Sequence, residues 1–237
     1  IAALLSEPSA SSFVLAPTPP QRRVRGLLRV PGVDRQHRPL LTLQQSSVSF
    51  SDLAQDYVTR VEPVTTTFMD EMISPFAIDD DRPTPKLLDV GCGCGGGAIE
   101  AAKAGFAVTA IDSSPAFVGR LAERCDQNKS LSIGFEVADG QNLPVEYSGE
   151  FDVVVSSFAL IFFPNPLVGL QEMHRCLVPG GRLVISGWGD RGDSPAFRII
   201  PDAVRAQAPE LISASKKKKS FLRTPEEVVT LMEQVGF

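Results

Sequence analysis

Leu87-Leu88-Asp89-Val90-Gly91-Cys92-Gly93-Cys94-Gly95-Gly96-Gly97, residues 87–97, passes from an unbroken apolar run into a stretch nearly devoid of side chains. An apolar run of this length, ended by glycine, reads as a buried strand. The glycines let the following turn adopt positive φ and lie close to whatever it meets before a helix begins. The spacing Gly91-x-Gly93-x-x-Gly96 also satisfies a dinucleotide fingerprint, so the loop alone leaves the ligand open.

Outward from the loop, apolar runs alternate with helical patterns, an α/β rhythm. The strand candidates are Lys86 to Val90, Phe106 to Ile111, Ser132 to Val137, Phe151 to Ser156 and Arg182 to Ser186. Ser114-Pro115, Asn165-Pro166 and Thr224-Pro225 each place a capping side chain before a proline at the first helical position. Gly105 and Gly236 stand where left-handed helix ends are expected. Before the first strand, Leu53, Tyr57, Val61, Val64, Phe68 and Met72 recur at three- and four-residue steps, predicting an amphipathic face that Pro63 splits into two helices.

Three acids narrow the ligand. Asp89 precedes the first glycine at a strand end, where a carboxylate disfavours a diphosphate. Asp112 closes the second strand about 20 residues beyond Gly91, where a carboxylate accepts hydrogen bonds from ribose hydroxyls. Asp139, in Val137-Ala138-Asp139-Gly140, ends the third strand, within the logic of an adenine amino group. Together they favour an adenosine ligand without phosphates.

In order along the chain, Leu88-Asp89-Val90-Gly91-Cys92-Gly93-Cys94-Gly95, Ala110-Ile111-Asp112-Ser113-Ser114, Ala138-Asp139-Gly140, Leu143-Pro144, Phe151-Asp152-Val153-Val154 and Glu172 to Leu183 resemble the class I S-adenosylmethionine methyltransferases. The likeness is to the small-molecule group that includes ubiquinone and menaquinone methyltransferases. It implies a Rossmann-like, doubly wound, mostly parallel sheet, with S-adenosyl-L-methionine as cofactor and a small molecule as methyl acceptor. It further implies that Asp89, Gly91, Cys92, Gly93 and Gly95 line the methionine end, that Asp112 and Ser113 hold the ribose, and that Asp139 and Gly140 hold the adenine. Ser156 would lie near the sulfonium methyl and Tyr57 would close over the cofactor. Family members continue past Gly236-Phe237 into two antiparallel strands, so the chain is expected to lack them and to leave a sheet edge uncovered.

With 237 residues, 43% hydrophobic, the chain supports one substantial core. Residues 1–50 hold six Arg (22, 23, 25, 29, 35 and 38) against Glu7 and Asp34 and show no sustained period. They read as a disordered leader or a targeting tail outside the core, with the enzyme domain over 51–237 and a helical cap over 51–78. That local balance is +4 within a net charge of -5, so the rest of the chain is acidic and no nucleic-acid partner is expected. The four cysteines (92, 94, 125 and 176) lack the paired spacing of a metal site. The apolar stretch Val153 to Gln171 is broken by serines and prolines, so no membrane span is expected. The compartment is read as cytoplasmic, or an organelle if the leader targets one.

No catalytic base is assigned. His37 falls in the tail, and His174 sits in a helix whose neighbours match a structural motif. Phe158, Phe162, Phe163 and Trp188 suit either an acceptor pocket or helix packing, and Lys216 to Lys219 read as a solvated charge run. Two other functions remain: an NAD(P)-dependent oxidoreductase, which leaves Asp89, Asp139 and Pro179-Gly180-Gly181 unexplained, and a non-catalytic module of the same fold that binds partners.

Overall fold

The computed structural model describes residues 2–7, 10–15, 54–76, 83–188, 202–203, 205–207 and 225–237. Five parallel strands form its centre: β3 (Lys86–Val90), β4 (Ala107–Asp112), β5 (Ile133–Val137), β6 (Phe151–Ser157) and β7 (Leu177–Gly187). They lie in the order β7-β6-β3-β4-β5. The chain starts in the middle at β3, runs outward through β4 to β5, then returns to lay β6 on the other side of β3. The point of reversal, between β3 and β6, opens a crevice at the carboxyl ends of the strands.

Side-chain alternation explains why both faces are covered. Leu87, Val108, Ala110, Val153, Val155 and Val184 point to one face, where they meet α3 (Met69–Ile73), α4 (Gly96–Lys103) and α5 (Pro115–Gln127). Leu88, Val90, Ile111, Val154, Leu183 and Ile185 point to the other, beneath α6 (Pro166–Cys176) and α7 (Pro225–Val235). A strand buried on both sides needs apolar residues at every position, which is the unbroken pattern the sequence carries.

The helix starts follow their caps with one variation. Ser114 Oγ accepts from the Phe117 N–H at 3.4 Å. Asn165 caps α6 by backbone position alone, its own N–H donating to Gln141 Oε1 at 2.7 Å. Gly105 and Gly236 take positive φ of 97° and 104°. Thr224 lies outside the described residues.

Two sequence expectations need correction. The cap breaks twice, giving α1 (Ala54–Arg60), α2 (Glu62–Thr66) and α3. Each break resets the helical phase, so Val61 and Val64 stand 42% and 48% exposed, while Glu62, Met69, Met72 and Ile73 turn inward. In the N-terminal region, β1 (Ala2–Glu7) and β2 (Ala10–Leu15) form an antiparallel hairpin whose first strand pairs with β7, from Ala2 opposite Gly187 to Ser6 opposite Leu183. These segments therefore do not stand outside the fold, and the outer edge of β7 is not left open. Short β-prone runs satisfy an edge's unpaired backbone groups even where the surrounding composition is poor in apolar period. Residues 16–53, with Leu53 and His37, and residues 208–224, with Lys216 to Lys219, lie outside the described residues.

Candidate active site

Two adjoining cavities occupy the crevice. The outer one, about 190 Å³, runs from the end of β4 across the Ala138–Gln141 turn to the segment after β6. The inner one, about 20 Å³, lies between the glycine loop and the cap helices α2 and α3. Tyr57, Gly91 and Ser157 border both.

The loop is shaped by the protein around it as much as by any ligand. Gly91, Gly93 and Gly95 take φ of 80°, 57° and 85°. A Cβ on Gly91 would fall closer than 3.0 Å to Ala159 Cβ, and one on Gly95 equally close to Leu121. A Cβ on Gly96 would meet Glu62 Cγ and Cδ and Thr66 Oγ1, each at 2.6 Å. Gly93 lies under the Tyr57 ring, whose centroid is 5.1 Å from that of Phe117. Gly95 and Gly96 are thus packing glycines: one receives α5, the other receives the cap. Gly95 borders neither cavity, unlike Gly91 and Gly93.

Asp112 ties the loop to the end of β4. Its Oδ2 accepts from the Gly93 N–H at 2.9 Å, and its Oδ1 from the Ser114 N–H at 2.8 Å. Burial pushes this carboxyl above its ordinary range while the two backbone donors pull it back. A carboxylate has about four acceptor positions, so two backbone bonds leave capacity toward the cleft. Ser113 and Ser114 border the same wall.

Asp89 is 2% exposed and borders the inner cavity. Burial, reinforced by the charge of Asp112, pushes its carboxyl up to about 7. Cys92, beside it, has a thiol raised well above its usual value by burial and by both acids, so it is a packed thiol and not an activated one. Asp139 stands across the outer cleft with Gly140, its Oδ1 accepting from the Gln141 N–H at 2.9 Å.

The serine that faces the cavities is Ser157, not Ser156. Ser156 is fully buried and donates from Oγ to the Val90 carbonyl at 3.0 Å, stapling β6 to the end of β3. Because side chains alternate along a strand, Ser157 is the residue that borders both cavities, its Oγ 3.0 Å from Ser186 Oγ. Past it, Phe158 takes φ of 55°, a conformation rare for a bulky residue, and packs against Trp188 at 4.6 Å and Phe68 at 6.0 Å between ring centroids. Phe158, Phe162 and Phe163 all border the outer cleft; Phe162 is 61% exposed at its mouth, while Phe163 also wedges against Gly140 and Gly169. The aromatics therefore both line the cleft and pack the fold. His174 is exposed and sits edge-on to Phe237, away from both cavities.

Sequence reasoning missed Glu62, Thr65, Thr66 and Met69, which border the inner cavity from the cap. Glu62 is 8% exposed; its Oε1 accepts from the Gly96 N–H at 3.0 Å. Arg124 Nη1 reaches both of its oxygens at 2.9 Å and the Cys94 carbonyl at 2.7 Å. A buried acid whose partner lies far along the chain leaves no local signal.

A doubly wound parallel sheet, a glycine loop at its switch point and an acid at or just past the end of each of the first three parallel strands are the architecture of the class I methyltransferase fold. Residues 88–185 match the family described as "Methyltransferase domain". It is 35% identical over 127 residues to a 2-methyl-6-phytyl-1,4-hydroquinone methyltransferase of Synechocystis sp., covering 53% of this chain and 39% of that protein. It is also 35% identical over 106 residues to a ubiquinone biosynthesis O-methyltransferase of Xanthomonas oryzae pv. oryzae, covering 45% and 44% respectively. The chain thus spans under half the length of these curated relatives. A SAM-dependent methyltransferase of Thermotoga maritima shares the fold at a TM-score of 0.53 and 19% identity, over 79% of each chain. Among the described residues, no helix is long and apolar enough to cross a membrane.

Proposed function

We propose that this domain binds S-adenosyl-L-methionine along the crevice and transfers its methyl group to an O, N or C nucleophile of an apolar small molecule by in-line displacement. The observation that carries this reading is the charge of the wall. Asp89, Asp112 and Asp139 border the two cavities, and among the described residues bordering them there is no Lys, Arg or His. Such a wall repels a dinucleotide's diphosphate and suits hydroxyls, an amino group and an ammonium.

The residues present fit the cofactor. Asp112 would take the ribose hydroxyls, Asp139 with Gly140 the adenine edge, and Asp89 the amino-acid end in the inner cavity, with Tyr57 lying over the loop between them. When bound, S-adenosyl-L-methionine supplies a sulfonium methyl, an electrophile on a good leaving group. The protein's own task is then alignment and exclusion of water. Ser157 and Gly91 stand where the two cavities meet, and Phe158, Phe162, Phe163 and Pro164 offer the acceptor an apolar flank. The relatives' names, a phytyl-hydroquinone and a ubiquinone-pathway methyltransferase, support a quinol or phenol among the acceptors to test first.

Calorimetric titration with S-adenosyl-L-methionine and with NAD tests the reading. Binding of the former alone is expected; binding of NAD alone refutes it. A screen of quinol, phenolic, sterol and carboxylic acid acceptors with labelled methyl donor then identifies the acceptor.

A further inference from the structure

The inner cavity is built by two parts of the chain that are far apart in sequence. One wall is the loop and the start of α4; the other is α2, through Glu62, Thr65 and Thr66. Glu62 joins them. Its carboxylate takes the Gly96 N–H, a donor in the first turn of a helix and so without an intrahelical partner. Arg124 of α5 holds both carboxylate oxygens and also the Cys94 carbonyl, so one guanidinium grips the cap and the loop together. The fit is close enough that Gly96 has no room for a Cβ, with Glu62 and Thr66 filling that space. The ion pair is largely out of solvent, at 25% and 10% side-chain exposure for Arg124 and Glu62. Removing one member therefore leaves the other poorly compensated.

We propose that Glu62 is a positioning residue: clamped by Arg124, it sets the Gly95-Gly96-Gly97 corner and thereby the inner cavity that receives the amino-acid end of the cofactor. This rests on the reading that the crevice takes S-adenosyl-L-methionine. The outer cleft, with Asp112 and Asp139, contains neither Glu62 nor Arg124. The cap helix α2 thus controls affinity for the amino-acid end and leaves affinity for the nucleoside alone.

Two ligands separate the ends: S-adenosylhomocysteine, which carries the amino acid, and 5′-methylthioadenosine, which lacks it. Calorimetry is run on the full chain and on E62Q, where Gln can still accept from Gly96 but has no charge for Arg124. The double variant E62Q/R124Q is measured beside it, because it removes the stranded guanidinium. Both variants are expected to lose about tenfold in affinity for S-adenosylhomocysteine, the order of one charge-assisted hydrogen bond, and to keep methylthioadenosine within about twofold. Retained methylthioadenosine binding also certifies that the variants are folded. Unchanged affinity for both ligands, or an equal fall in both, overturns the proposal. A wild-type chain that binds neither ligand overturns the functional reading itself, and this inference with it.

Discussion

Replacing Gly91 by Ala tests whether the loop's glycines answer to backbone conformation alone or also to the protein packed against them. Gly91 has φ of 80°, where an L side chain costs about 1–2 kcal/mol. Its Cβ would also fall inside 3.0 Å of Ala159 Cβ, two backbone-anchored groups that cannot swing away. Overpacking of that kind costs about 1–3 kcal/mol, so the total comes to about 2–5 kcal/mol. Two reference glycines separate the contributions. Gly149 shares the positive φ, at 69°, with nothing within 4 Å of a Cβ, so Gly149→Ala should cost only the conformational part, about 1–2 kcal/mol. Gly119, in the body of α5, has neither the φ nor a neighbour within 4 Å, and Gly119→Ala should stabilise by about 0.5–1 kcal/mol. Urea unfolding of the three variants gives the ranking. Adding Ala159→Gly to Gly91→Ala should recover the packing part alone, a coupling of about 1–3 kcal/mol in the double-mutant cycle. Zero coupling, or a Gly91→Ala cost no larger than that of Gly149→Ala, refutes the claim that the segment after β6 presses on the loop.

Further outcomes follow from the acids and serines. Asp89 titrates near 7 when folded against an ordinary 3.8, so between those values the folded protein holds a proton that the unfolded chain releases. Stability of the free protein should therefore fall as pH rises from about 4 to about 7 and level off above, and Asp89→Asn should flatten that slope in pH-dependent denaturation. An ammonium-bearing ligand favours the ionised acid, so S-adenosylhomocysteine should bind more tightly at pH 8 than at pH 6 and release a proton on binding. Calorimetry in buffers of different ionisation enthalpy reads this, and no proton release rules out Asp89 as the partner. Asp112→Asn would turn an amide N–H₂ toward either the Gly93 or the Ser114 N–H, and should cost about 1–3 kcal/mol in thermal unfolding together with at least about tenfold in cofactor affinity. Ser156→Ala should cost about 1 kcal/mol of stability through its lost bond to Val90 with little effect on binding, while Ser157→Ala should do the reverse. The opposite pattern in melting and titration would restore Ser156 to the site.

What could be read along the chain was whatever repeats locally. Lys86–Val90 matches its strand to the residue, and β4 and β6 were placed within one residue, because a strand covered on both faces leaves an unbroken apolar run. The strand β5, exposed after Ile133, was also placed within one residue, while β7 starts five residues before the expected Arg182. Asp112 and Asp139 were legible because each stands at or just past the end of a strand, which is where the crevice opens. Val61 and Val64 were misread because a helical phase cannot be carried across breaks that the sequence marks only at Pro63. Ser156 turns away from the cavities that Ser157 borders, since a step of one residue in a strand reverses the face.

The apolar runs, with the glycines and acids from Asp89 to Gly140 at their ends, by themselves determined the parallel sheet and the crevice at its carboxyl edge, since these depend on strand ends. Only the tertiary structure decided why the glycines are there. Gly91 yields to Ala159, Gly95 to Leu121, and Gly96 to Glu62 and Thr66. Close contact between segments so distant in the chain is a property of packing, which no local spacing encodes.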